Sequence, residues 1–146
     1  MNLENISNRV VHLCLQNGAY ILQELKVLKS KDVEEKDEHN FVTYVDRKSE
    51  EMLVEGLSRL VPGCGFIAEE GKYGPAVTEL RWVIDPLDGT TNFIHGVPVF
   101  SISIALMKEE EVILGVVHEI NRSESFYSWK GGKAYLDGKE IKKKIA

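Results

Sequence analysis

At Pro62-Gly63 the spacing of apolar residues changes from a helical period to alternation, and that switch restricts the available folds more than any other feature. Upstream, Val10, Leu13, Leu15, Ala19, Leu22 and Leu25 recur at helical spacing. They predict a long amphipathic helix over about Leu3 to Leu28, with an internal glycine tolerated at Gly18. The charged run KDVEEKDEHN, Lys31 to Asn40, predicts a solvated loop, and Phe41 to Val45 a short extended piece. A second helix is expected from about Asp46 to Val61, with Met52, Leu53, Leu57 and Leu60 inward and Pro62-Gly63 as its stop.

Beyond the switch, Gly65 to Ala68 and Arg81 to Ile84 are short strand candidates. Val99 to Met107 alternates, with Phe100, Ile102, Ile104 and Leu106 on one face and Ser101, Ser103 and Ala105 on the other. Val112 to His118, Ser125 to Trp129 and Lys133 to Leu136 follow, and Asp137-Gly138 is a strong hairpin turn. Two helices followed by hairpin-linked strands define an α+β class: two N-terminal helices packed on a largely antiparallel sheet. With 146 residues the chain is long enough for one domain with its own core, residues 1–146. The final residues, EIKKKIA, are expected to begin a further strand.

Charge and cysteine content narrow the function classes. Lys and Arg number 18 against 23 Asp and Glu, a net charge of −5, which argues against non-specific nucleic-acid binding. The balance does not disfavour small phosphorylated ligands, because a bound cation reverses the local field. MNLENISNR has no hydrophobic signal core, and the most apolar run, Val97 to Met107, is too short to span a bilayer. The expectation is a soluble, cytoplasmic protein with no membrane partner. Cys14 and Cys64 lie far apart in apolar surroundings, as buried thiols suited to a reducing compartment.

The chemistry concentrates in Trp82-Val-Ile-Asp85-Pro-Leu-Asp88-Gly-Thr90-Thr-Asn-Phe93. A buried strand delivers Asp85 at its end, Pro86 is expected to stop that strand, and Gly89 allows a sharp turn. Asp85, Asp88 and the Leu87 carbonyl between them make a set of hard oxygen donors, which Mg²⁺ favours. Amides after Gly89 can open a helix whose N-terminus accepts a phosphate. Taken alone, Asp-Pro and Asp-Gly are also ordinary turn residues. Likewise Asp46 sits where a helix N-cap belongs, and Glu69-Glu70 fits a solvated acidic pair. His12, His39, His95 and His118 suggest no ligand role, and Trp82 and Trp129 are candidate core residues.

Three segments in order make the pattern specific. Asp85-Pro-Leu-Asp-Gly-Thr-Thr-Asn-Phe-Ile-His95, Gly65-Phe-Ile-Ala-Glu69-Glu70-Gly and Asn40-Phe-Val-Thr43-Tyr-Val-Asp46 together resemble the signature of the inositol monophosphatase family. The resemblance is specific from about Lys36 to Leu106, and the flanking segments suit the family's first domain. It implies Mg²⁺-dependent hydrolysis of small phosphate monoesters by an activated water. Glu69, Asp85, the Leu87 carbonyl and Asp88 would ligate metal. Gly89 and Thr90 would present amides to the phosphate. Asp46, Thr90 and Glu70 would carry catalysis, with the Thr90 hydroxyl paired to Asp46, and Lys36 would be a basic residue near the site.

Family chains are longer, and their second domain supplies a Trp-Asp-x-Ala-Ala-Gly-like motif not found here. The resemblance therefore implies an N-terminal metal- and phosphate-binding domain without the family's C-terminal domain, weak cation binding and little turnover. A face left without that domain is expected to be adhesive, and the family resemblance suggests a homo-oligomer. Alternative readings are a nucleotide 3′-phosphatase, a fructose-bisphosphatase-like enzyme, or a non-catalytic metal-binding module.

Overall fold

Among the described residues, seven strands form one sheet in chain order, and two long helices lie across one of its faces. The computed structural model describes residues 1–30, 35–69, 71, 73–75 and 77–142. The elements are α1 (Leu3–Ser30), α2 (Glu35–Leu60), β1 (Gly65–Ile67), β2 (Leu80–Asp88), α3 (Thr90–Ile94), β3 (Ser101–Lys108), β4 (Glu111–Glu119), β5 (Glu124–Trp129), β6 (Ala134–Leu136) and β7 (Lys139–Glu140). The pair β1–β2 is parallel and every other neighbouring pair is antiparallel. This is the expected α+β architecture.

The inward stripe of α1 is Ile6, Val10, Cys14, Ile21, Leu25 and Leu28, all buried, with Asn17 among them. Of the apolar residues that repeat at helical spacing, Leu15 and Ala19 are exposed, because the buried stripe runs through Cys14 and Asn17 instead. Burial raises the Cys14 thiol pKa to about 12, so it stays a protonated, inert core group. Cys64 is also free and buried.

Helix α2 begins well before Asp46. Phe41 to Val45 were expected to be extended, but Val42, Val45, Ser49, Leu53 and Leu57 form one continuous buried helical stripe. Packing of that stripe overrides the strand preference of the β-branched residues. The Thr43 hydroxyl donates to the His39 carbonyl one turn back at 2.9 Å, the bond a helical threonine makes. Residues 35–40, expected as loop, are therefore helical, and 31–34 lie outside the described residues.

The alternation leading into and along β3 is as expected: Phe100, Ile102, Ile104 and Leu106 are buried. Trp82 and Ile84 of β2, and Leu114, Val116 and His118 of β4, join them on the helix-covered side. Asp137 and Gly138, both at positive φ, turn β6 into β7 as their sequence demands. Trp129 is only half-buried, stacked on Tyr135 with ring centroids 5.1 Å apart. The opposite face carries Val83, Ala105, Val117, Phe126 and Ile141 around an apolar groove of about 540 Å³. Val117, Phe126 and Ile141 are each at least 40% exposed there.

Where α1 crosses β4, the internal glycine makes room for a close approach. A Cβ on Gly18 would stand 3.0 Å from His118 Nε2. The imidazole occupies that space, fully buried, with Nδ1 2.8 Å from Ser125 Oγ. Burial lowers its pKa, and Glu119 and Asp137 oppose the shift only in part. Between the lowered folded value and the ordinary value of 6.5, the unfolded chain binds more protons than the folded one. Stability is thus full above that window and lost as pH falls through it. Urea unfolding at about pH 7.5 and about pH 5 should show wild-type stability falling more steeply than that of His118→Gln. Equal falls would remove His118 as the cause.

Candidate functional site

The site is built around an irregularity in β2. Asp85 pairs with Ser103 of β3, and the next paired residue is Asp88, opposite Ser101. Three steps along β2 thus match two along β3, a bulge that leaves Pro86 and Leu87 out of the ladder. Pro86 was expected to end the strand. Instead β2 continues to Asp88, since a proline with no N–H to offer is harmless where the ladder is already interrupted.

Alternation along β2 turns Trp82 and Ile84 toward the helices and Asp85 toward the opposite face, at one end of the apolar groove. Pro86 and Leu87 are buried and Asp88 is exposed. Asp85 Oδ1 is buried and lacks a hydrogen-bond partner among the described residues. Desolvation and then the Asp88 charge raise the Asp85 pKa, while the Leu87 backbone N–H pulls it back. Two carboxylates close enough to repel, one with an orphaned oxygen, form a locally destabilised pair that a cation would relieve.

Parallel pairing of β1 and β2 brings in the third carboxylate. Ile67 pairs with Val83, so Glu69 and Asp85, each two residues further on, emerge at the same end of adjacent strands. Glu69 is exposed. These donors fit a hard divalent cation by type, as carboxylate and backbone carbonyl oxygens. Among the described residues, no group of three or more His, Cys, Asp or Glu side chains converges to metal-binding distance. Glu70 and the side chain of Lys36 lie outside the described residues.

Immediately after Asp88 the chain turns into α3. Gly89 is the N-cap residue at φ 91°, and a side chain there would meet the Val99 carbonyl at 3.0 Å, so both conformation and space require glycine. Gly89 O accepts the Phe93 N–H at 3.0 Å, which starts the helix at Thr90 as the sequence suggested. Phe93 packs edge-to-face on Phe100, and Asn92 Nδ2 donates to Val99 O at 2.8 Å, fixing the return to β3. His95 caps the end of α3 through its backbone N–H.

Asp46, an N-cap candidate by sequence, lies in the middle of α2 and is 6% exposed, so capping does not account for it. Ser49 and Glu50 follow it on the same side of the helix, both fully buried. Ser49 Oγ donates to the Pro86 carbonyl at 3.1 Å, and Glu50 accepts from the Tyr73 hydroxyl at 3.0 Å. Desolvation and Glu50 hold the Tyr73 pKa up at about 12, so the phenol remains a donor. Helix α2 also packs on α3. This face of α2 therefore sits behind the bulge.

Asn17, Ser49, Glu50 and Tyr73 escaped the sequence reading. A signal existed for two of them: Asn17 and Ser49 are polar residues at inward positions of apolar helical stripes.

Comparison with known proteins accords with this architecture. The inositol monophosphatase family profile matches residues 2–145. The chain belongs to that family. A relative from Aquifex aeolicus named fructose-1,6-bisphosphatase/inositol-1-monophosphatase is 39% identical over 130 residues, 89% of this chain and 49% of its own length. Another, from Pseudomonas aeruginosa, is named Nus factor SuhB and is 40% identical over 128 residues, 86% of this chain and 47% of its own. The structure of an inositol monophosphatase from Anabaena superposes on all of this chain and 52% of that one, with TM-score 0.82 and 31% identity. The chain spans about half the length of the relatives it matches.

Repulsion across the bulge has a measurable consequence. Without cation, Asp85→Asn should raise stability by up to about 1 kcal/mol after solvent screening, read by thermal unfolding. Added Mg²⁺ should then stabilise wild type and leave Asp85→Asn unmoved. A loss of stability in the cation-free variant would show that the two carboxylates are not in conflict.

Proposed function

We propose that this chain is the cation- and phosphate-binding half of a Mg²⁺-dependent phosphatase acting on small phosphate monoesters of the inositol monophosphate type. The observation that supports it most is the β2 bulge, which sets Asp85 and Asp88 together with an Asp85 oxygen buried and unpartnered among the described residues. Glu69, Asp85, the Leu87 carbonyl and Asp88 would hold the cation. When bound, it would lower the pKa of a coordinated water and neutralise charge on the phosphoryl and leaving oxygens.

The chain's own residues would do the remaining work. Amides of Gly89 and Thr90 bind phosphate oxygens and fix the phosphorus in line with the incoming water. The Thr90 hydroxyl, with Asp46 as its partner, orients that water, and Glu70 helps to hold it and takes up its proton. Water oxygen bonds to phosphorus, the ester oxygen leaves and gains a proton, and an alcohol and inorganic phosphate result. On this reading, residues outside the matched half of the relatives would also contribute to the complete site. The fold in residues 1–146 is then the N-terminal domain of a two-domain enzyme, and its apolar outer face favours self-association.

The Aquifex relative's name pairs two activities, which favours a second reading in which fructose bisphosphate is also a substrate.

Calorimetric titration with Mg²⁺ is the test, joined to phosphate release from inositol 1-phosphate. Wild type should bind the cation and Asp88→Asn should bind it at least about tenfold more weakly, with little turnover by either. Absence of binding by wild type contradicts the cation site. Robust release by wild type that vanishes in Asp88→Asn would show that this half suffices for catalysis.

A further inference from the structure

We propose that Asn17 and Ser49 are positioning residues for the carboxylate turn, acting on Asp85 through the peptide group that joins Pro86 to Leu87. The proposal rests on the cation-site reading above. It starts from a requirement of the bulge: Pro86 is buried and its carbonyl falls where β2 and β3 are out of register, so that oxygen needs a donor from elsewhere. Ser49 of α2 supplies it, Oγ to Pro86 O at 3.1 Å.

The direction of this bond is fixed by a second one. Asn17 of α1 stands 2.9 Å from the Ser49 backbone carbonyl, which can only accept, so the atom facing it must be the amide nitrogen. The same nitrogen is 2.8 Å from Ser49 Oγ. Asn17 therefore donates to the Ser49 hydroxyl, and the single Ser49 proton is left for Pro86. Asn17 is 3% exposed and Ser49 is fully buried, so neither bond competes with water.

Pro86 C=O and Leu87 N–H belong to one planar peptide unit and point in opposite directions. Ser49 holds the oxygen end, while the Leu87 N–H end lies on the Asp85 side, where it pulls the carboxyl pKa down. Rotation of that unit would break the Ser49 bond and swing the Leu87 N–H away from Asp85. A linked path thus runs from α1 through α2 to the β2 turn: Asn17 to Ser49, Ser49 to Pro86, and across the planar peptide to the Leu87 N–H beside Asp85. It keeps the Asp85 carboxylate facing the cation position, although Asn17 and Ser49 touch neither cation nor substrate.

The test compares Ser49→Ala, Asn17→Ala, the double variant, and Val10→Ala as a control that thins the α1 core away from the turn. Leu87 amide exchange is followed by NMR without cation, and Mn²⁺ affinity by calorimetry. In Ser49→Ala, Leu87 exchange should rise at least about tenfold and Mn²⁺ affinity fall by about tenfold. Asn17→Ala should do less, and the double variant no more than Ser49→Ala alone, because Asn17 acts only through Ser49. Val10→Ala should lower the melting temperature without selectively moving either readout. Unchanged Leu87 exchange in Ser49→Ala, or equal acceleration in Val10→Ala, overturns the proposal. If wild type binds no Mn²⁺ the cation reading fails, while Leu87 exchange still decides whether the peptide clamp exists.

Discussion

Strand β2 has to satisfy two demands that conflict. It lies between β1 and β3, so its backbone groups must be paired, yet its last residues must leave the ladder to bring two carboxylates together. The bulge at Pro86-Leu87 meets both demands by placing the interruption at a residue with no N–H. The carbonyl it frees is taken up by Ser49 from the helix layer. Most other features follow from this arrangement. Helix α2 must lie directly behind the turn, Gly89 must adopt positive φ to bend into α3, and Asp85 must face away from the helices.

Electrostatics then sets the character of the site. Asp85 is partly desolvated and repelled by Asp88, and this conflict has no use in stabilising the chain by itself. Such conflicts cluster where function needs them, and a hard cation is the partner that removes this one. Glu69 reaches the same end of the sheet because β1 runs parallel to β2, the single parallel pairing among the described strands. An antiparallel β1 would have delivered it to the opposite end.

Much of this was legible in the sequence, for physical reasons that differ by element. Alternation in β3 and the Asp137-Gly138 turn could be read directly, because period and turn chemistry are local. The carboxylates were legible from their order and spacing. The beginning of α2 was not: Phe41 to Val45 are β-branched or aromatic at all five positions, and only docking of Val42 and Val45 into the core makes them helical. Pro86 misled for a similar reason, since a bulge depends on how β3 pairs and cannot be seen in β2 alone. The Asn17–Ser49 link joins residues 32 apart, and nothing local in either segment reveals its partner.

The central claim is that a divalent cation settles between Asp85, Asp88 and Glu69, and paramagnetic broadening of backbone amide signals by substoichiometric Mn²⁺ tests it most directly. The account requires that amides of Glu69 and of Asp85 through Thr90 broaden first, with those of the exposed acidic residues Glu109 and Glu110 unaffected at the same Mn²⁺ level. Broadening that spreads evenly over the acidic surface, or begins at the Glu109-Glu110 turn, would contradict it.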